Sequence, residues 1–422
     1  MSKTYYIYSK YQTMVIEFSV KNFRSISNLQ SISFADVARV GRNSSRFFNS
    51  VGIYGPNGSG KTNILKALNL FLEAIVQDPS SFPTLFELHQ PFLFDESQND
   101  ESSFFQIIFI LDNVKYRYGF TIKNFIDESN ILNQEVESEW LFFFQGEDQF
   151  TIFTRKNESI IIKNKLKKSG YPKIPHKHTL FLNFIAAIDR ESICFSILSN
   201  FKNFTYFNHA NSNENLRIHT LRLIEDNAGG KDDIIELINN FGIFIDDIYL
   251  NEDTSIDPST IYPLDKIDIY KDFFGKKIKL NLFKNESSGT IRIFDLAGIL
   301  VKIFQKTDKP YFVILDEIDN DFHPNLVMRI LDMFNNPKFN KNGSQILFSG
   351  HETYVMSNKS MSKYQFYLTE KDNFTFSTRF YSLGDFKGVT NYGDFTLKYL
   401  SGFYGGIPIL KNIIEKNGTL GN

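Results

Sequence analysis

Val51-Gly52-Ile53-Tyr54-Gly55-Pro56-Asn57-Gly58-Ser59-Gly60-Lys61-Thr62-Asn63-Ile64-Leu65-Lys66 is the stretch that decides the fold. Its first four residues are short, apolar and partly β-branched, which reads as a buried strand. From Asn63 to Leu72 good helix formers run without Gly or Pro. Between strand and helix the spacing G-x-x-x-x-G-K-[ST] is met by Gly55, Gly60, Lys61 and Thr62. Glycines there let successive backbone N–H groups converge on a phosphate without Cβ clashes. In this pattern the lysine reaches the β- and γ-phosphate oxygens, and the hydroxyl after it serves Mg²⁺. The helix N-terminus adds its positive end. Gly55, Pro56, Asn57, Gly58, Ser59, Gly60, Lys61, Thr62 and Asn63 are therefore expected to hold ATP, with Mg²⁺ as its companion.

Further along, Tyr311-Phe312-Val313-Ile314-Leu315 is fully apolar and ends in Asp316-Glu317. A buried strand has no structural use for two adjacent carboxylates, and the carboxyl ends of strands are where α/β sheets place ligands. Asp316 is expected to hold Mg²⁺, and Glu317 to polarise the attacking water as general base. Ser349-Gly350-His351 follows another apolar run, Ile346-Leu347-Phe348. His351 suits contact with a γ-phosphate and with Glu317. Asn285-Glu286-Ser287-Ser288-Gly289-Thr290 precedes an apolar-periodic helix from Ile291 to Gln305. Small residues at such an N-terminus make a second anion site, with Ser287 and Gly289 as the contacts; an ordinary serine N-cap explains the same residues. Gln90, in Gln90-Pro91-Phe92, is a candidate for the metal's surroundings, and Asp319 for a seam between subunits. Phosphate loop, long insertion, S-x-G-T, apolar-Asp-Glu and strand-His is the order found in ABC-type ATPases. The expected fold is α/β: an ABC-type P-loop head with a mixed sheet, an antiparallel β subdomain and a mainly helical insertion.

The rest of the chain sets bounds. It has 422 residues, enough for one large or two to three smaller domains. Runs at Phe105–Leu111, Tyr116–Ile122, Trp140–Phe144 and Phe150–Thr154 read as antiparallel sheet, 180 to about 245 as mostly helical, and 250–283 stays ambiguous. The expected division is 1–165, the first half of the head; 166–283, the insertion; and 284–422, the second half. With 45 Phe and 20 Tyr, many in short runs, the aromatics read as strand-rich core rather than as a surface for bases. The net charge of −2 neither supports nor excludes nucleic acid. Lys163, Lys165, Lys167, Lys168, Lys173 and Lys177 read as a solvated loop. One cysteine, Cys194, leaves no disulfide within the chain, and the cytoplasm is the expected compartment. No apolar run reaches the ~18 residues of a membrane span. The residues before Met14 read as an extension.

With these residues in place, the chain resembles the RecF/SMC-like ABC ATPases of the AAA15/AAA21 group, and within it abortive-infection and RloA-type anti-phage ATPases. Septu, PARIS and OLD-family ATPases are more distant. Ile16-Glu17-Phe18-Ser19-Val20-Lys21-Asn22-Phe23-Arg24-Ser25-Ile26 carries the resemblance at one end. Tyr381-Ser382-Leu383-Gly384-Asp385-Phe386 and Tyr399-Leu400-Ser401-Gly402-Phe403-Tyr404-Gly405-Gly406-Ile407-Pro408 carry it at the other. The resemblance implies ATP hydrolysis in a head-to-head homodimer, or a higher oligomer, with two nucleotides at the seam. It also implies a role in sensing phage infection, with DNA or a phage component as trigger. OLD-type relatives carry a nuclease domain after the ATPase; here the residues after His351 hold no second acidic cluster, so the effector is expected to be a separate protein, a nuclease. The competing readings are a RecF-like DNA-repair ATPase and a nucleotide-gated scaffold that barely hydrolyses.

Overall fold

The computed structural model describes residues 13–36, 47–76, 89–95, 101–126, 132–163, 166, 177–207, 212–226, 229–251, 266–307, 309–320 and 322–408. The expected extension before Met14 and Lys165, Lys167, Lys168 and Lys173 of the lysine-rich stretch lie outside them, Thr13 excepted. Strands β1 (Thr13–Lys21) and β2 (Gln30–Ser33) lead to β3 (Ser50–Tyr54), the phosphate loop and helix α1 (Lys61–Val76). Five strands follow: β4 (Ser103–Leu111), β5 (Val114–Ile126), β6 (Leu132–Gln145), β7 (Asp148–Lys156) and β8 (Ser159–Ile162). Together with β1 and β2 they form a seven-stranded antiparallel sheet, in the order β2-β1-β4-β5-β6-β7-β8.

Next come α2 (Phe181–Ile188), α3 (Ile193–Phe201), β9 (Phe204–Phe207), α4 (Ser212–Glu225) and α5 (Gly230–Asn240). The described part of the ambiguous stretch joins a small antiparallel sheet of β10 (Asp247–Leu250), β11 (Ile267–Phe273) and β12 (Lys276–Asn281). One turn of helix, α6 (Leu282–Asn285), leads to α7 (Ser288–Val301), which continues as a π-helix over Lys302–Lys306. The chain then runs through β13 (Phe312–Leu315), α8 (Pro324–Asn335), β14 (Gln345–Ser349), β15 (Phe366–Lys371), β16 (Thr378–Ser382) and α9 (Thr396–Leu400).

The second large sheet has the order β16-β15-β3-β14-β13-β9. Every neighbouring pair is parallel except β15 with β16. Helical crossovers cover both faces, so its inner strands must be apolar on both sides. Along β13, Phe312 and Ile314 enter the core shared with α1 and the antiparallel sheet, while Val313 and Leu315 enter the core of α4, α5, α7 and α8. Leu347 of β14 points to the first core, and Ile346 and Phe348 to the second. This is why both strands read as unbroken apolar runs. Helix α1 lies in the first core, where Phe71 stacks on Phe120 at 5.3 Å and meets Phe18 edge-on at 5.7 Å.

One expectation is refined. Among the described residues from 180 to 245, four helices are interrupted by β9, which joins the central sheet beside β13. Its residues, Phe204-Thr205-Tyr206-Phe207, are aromatic and β-branched, the types that suit a pleated, half-buried surface. Helices α4 and α5 pack on α7 within one core. Thr220 donates to the Phe294 carbonyl (2.8 Å) and accepts from Gly298 N (2.8 Å), and the Arg217 guanidinium grips the Asp295 carboxylate at 2.8 and 3.2 Å. Cys194 is buried, and burial pushes its thiol well up, which keeps it a thiol at neutral pH. No helix among the described residues is long and apolar enough to cross a membrane.

Candidate nucleotide-binding site

Because β3, β14 and β13 are parallel neighbours, their carboxyl ends meet at one edge. β3 delivers the phosphate loop there, β14 delivers Ser349-Gly350-His351, and β13 delivers Asp316-Glu317. β14 comes last of the three in sequence, yet it lies between the other two. That insertion places His351 between Lys61 and Glu317. His351 Nδ1 is 3.5 Å from Lys61 Nζ, and His351 Nε2 is 3.3 Å from Glu317 Oε1. A neutral imidazole with its proton on Nε2 satisfies both contacts, accepting from the ammonium and donating to the carboxylate.

Lys61 is buried, and its ammonium donates to the Gly55 and Pro56 carbonyls at 2.7 and 3.2 Å. Burial lowers its pKa, while Asp316, Glu317 and Asp319 act to raise it. The site is thus a desolvated cation facing three carboxylates. Asp316 is buried and accepts a very short hydrogen bond from Ser349 Oγ. The same hydroxyl accepts from Glu317 N at 2.8 Å. Glu317 stands in the left-handed region, at φ +54°. A non-glycine residue there is strained, and such strain gathers at functional sites. Its carboxylate also accepts from Asn320 Nδ2 at 2.7 Å.

Asp319 has a structural role within the chain. It is buried at 8 % exposure and accepts from the backbone N–H groups of His351 (2.7 Å) and Glu352 (2.6 Å). Its carboxylate locks the turn after β13 to the turn after β14, which makes it a support for His351. Gln90 is exposed; its carbonyl accepts from Arg24 N at 2.7 Å, and no hydrogen bond joins it to Thr62 or Asp316. Ser287 is exposed and caps α7, accepting from Thr290 N at 3.2 Å. No hydrogen bond links Ser287 or Gly289 to the phosphate loop among the described residues.

Several supporting residues carry no sequence signal. Thr369 of β15 and Thr378 of β16 clasp the loop from the side opposite β14. Thr369 Oγ1 lies 2.5 Å from Ser59 Oγ, and Thr378 Oγ1 donates to the Ser59 carbonyl at 2.9 Å. Gly60, at φ +108°, packs so closely that a Cβ would lie 2.2 Å from Thr378 Oγ1. Ser25, in the turn after β1, accepts from Asn63 Nδ2 at 2.7 Å and so ties that turn to the first turn of α1. Beside it Arg24 stands at φ +52° with Nε buried and unpartnered among the described residues. Burial lowers its pKa, and the neighbouring Tyr206 opposes this.

For the metal, the available donors are the Thr62 hydroxyl and the Asp316 carboxylate. This hard-oxygen pair suits Mg²⁺, which binds through one or two protein ligands plus phosphate oxygens and water. Among the described residues, no group of three or more His, Cys, Asp or Glu is arranged to hold a metal ion.

A strand–loop–helix that cradles phosphates, with an acidic strand end one strand away, defines a P-loop nucleotide-binding domain of mixed α/β architecture. The comparison with known families agrees. Residues 50–357, well over half of the chain, match the family described as "AAA domain, putative AbiEii toxin, Type IV TA system", and the chain belongs to it. No protein of curated function matches the chain. The Arg24–Ser25 turn and the β15–β16 hairpin lie outside the matched span.

Proposed function

We propose that the chain binds ATP with Mg²⁺ and hydrolyses it at a composite site closed by a second copy. The observation that carries this is the convergence of Lys61, Asp316, Glu317 and His351 at one sheet edge, while the capped helix end at Ser287 stays exposed. Lys61 would leave the loop carbonyls for the β- and γ-phosphates. Mg²⁺, held by Thr62 and Asp316, would neutralise phosphate charge. Glu317 would take a proton from the attacking water, and His351, bonded to it, would fix its orientation. Arg24, next to the Ser25 that bonds Asn63, would add positive charge beside the loop. Ser287 and Gly289 of the second copy would cap the γ-phosphate with the N-terminus of α7.

In this reading turnover is a switch rather than an end. The family's description speaks of a toxin of a type IV toxin–antitoxin system. We infer an anti-phage role in which this ATPase responds to infection and controls a separate effector, a nuclease, in the cytoplasm. Light scattering with ATP tests the composite site. Glu317→Gln should accumulate as an ATP-bound dimer, because binding persists while water activation is lost, and Lys61→Ala should stay monomeric. A Glu317→Gln chain that remains monomeric at saturating ATP would falsify the composite site. Affinity capture with and without ATP tests the effector; recovery of no second protein from infected cells would remove that part.

A further inference from the structure

We propose that Phe94 and Phe376 form the platform on which the base of the bound nucleotide stacks; this rests on the reading of Gly55–Asn63 as a triphosphate site. Most phenylalanines among the described residues are buried in or packed on a core; Phe94 and Phe376 are 61 % and 45 % exposed, with ring centroids 4.9 Å apart. They come from segments far apart in sequence, and each is anchored beside the phosphate loop. Phe376 lies two residues before Thr378, which grips Ser59 and Gly60. Phe94 ends a segment fastened to the turn after β1. Phe92 N donates to Asn22 Oδ1 at 2.9 Å, Arg24 N donates to the Gln90 carbonyl at 2.7 Å, and the buried Phe92 ring supports Phe94 at 5.8 Å.

Direction supports the assignment. β15 is parallel to β3, so its carboxyl end lies at the same edge as the phosphate loop. It flanks β3 on the side away from β14 and β13. A triphosphate whose γ end faces Asp316, Glu317 and His351 carries its nucleoside toward the β15–β16 turn. That turn is held firmly: the Asp372 carboxylate accepts from Phe374 N (2.9 Å), Thr375 N (2.7 Å) and Thr375 Oγ1 (2.9 Å). Phe376 stands at φ +56°, a costly conformation for a bulky residue that glycine would adopt without strain. Lys371 places its ammonium 5.8 Å from the Phe376 ring centroid, so a cation stands beside the platform. Stacking on aromatic rings accepts any base, so the platform contributes affinity, with preference for the larger purines.

The test compares ATP with inorganic tripolyphosphate on the full chain. The double variant Phe94→Ala/Phe376→Ala should lose about tenfold to a hundredfold in ATP affinity while tripolyphosphate binding is unchanged. A second variant, Phe376→Trp, reads the contact directly. ATP should change its new emission above that of Trp140, and tripolyphosphate should not. Undiminished ATP affinity in the double variant together with unresponsive emission in Phe376→Trp would overturn the proposal. So would equal loss of both ligands, or intact ATP affinity with lost self-association, which would make the patch a contact between copies. If the wild-type chain binds neither ligand, the phosphate-loop reading itself fails, and this proposal with it.

Discussion

Replacing Asp295 by Ala should loosen the helical core that carries Ser287. Asp295 lies on α7 with 0 % of its side chain exposed, and Arg217 on α4 with 6 %. Their fork of hydrogen bonds, 2.8 and 3.2 Å, is the most buried charged contact between these helices that the structure shows. Removing the carboxylate leaves a guanidinium in an apolar core with no compensating charge. Breaking a buried pair in this way costs about 3–5 kcal/mol. At 1.36 kcal/mol per decade, amide exchange in α4 and α7 should accelerate by roughly two to four orders of magnitude. Hydrogen exchange read by mass spectrometry, peptide by peptide, separates this from global unfolding. Peptides from β4 to β7 lie in the other core and should keep their protection. Replacing both partners by apolar residues, Arg217→Met with Asp295→Leu, should restore most of the loss, because desolvation of two charges then disappears along with their attraction. Unchanged exchange in Asp295→Ala would refute the reasoning, as would a double variant no better protected than the single one.

Other outcomes follow from single contacts. Ser349→Ala removes the donor to Asp316 and the acceptor for Glu317 N; turnover should fall by about tenfold or more, the equivalent of one lost buried hydrogen bond, with ATP affinity kept, and wild-type turnover would contradict the role given to this hydroxyl. Gly60→Ala forces a Cβ to 2.2 Å from Thr378 Oγ1 at φ +108°, so calorimetry should show at least about tenfold weaker ATP binding. His89 is buried between Ser103 (2.7 Å) and Gln134 (2.8 Å), and burial holds its pKa at about 4, below the ordinary 6.5. Above 6.5 it is neutral whether folded or not; between 6.5 and 4 only the unfolded chain takes up the proton, so stability falls as pH drops through that window, by at most about 3 kcal/mol. His89→Gln should flatten the slope of urea midpoints between pH 7 and pH 4, and an unchanged slope would show that other groups set it.

Much of the site was legible because its chemistry is local. The glycine spacing at 55–60, the carboxylates ending an apolar run at 316–317 and the histidine ending another at 351 each announce themselves within ten residues. Both apolar runs read clearly because helices cover both faces of their sheet. What stayed hidden depends on pairing at long range. Thr369 and Thr378 are ordinary strand threonines until β15 is seen beside β3, more than three hundred residues from Ser59 in sequence. The edge strand β9 was masked by the helices around it, since four residues are too few for a period of two to stand out. The lock made by Asp319 was hidden because the need of two backbone N–H groups at 351 and 352 cannot be read from position 319. Phe94 and Phe376 follow the same rule. Composition assigned the aromatics to the core, correctly for most, and only proximity to the loop sets these two apart.

The threading of β3 between β14 and β15 has a consequence for how this protein is made. The loop emerges from the ribosome well before the strands on its two sides, and the threonines that clasp it follow more than three hundred residues later. At elongation speeds of roughly 5–20 residues per second, the cradle waits tens of seconds for its walls. A nascent or prematurely terminated chain therefore carries the whole phosphate-binding signature without a working pocket. Nucleotide occupancy would then report that the strands flanking the loop have been made and paired.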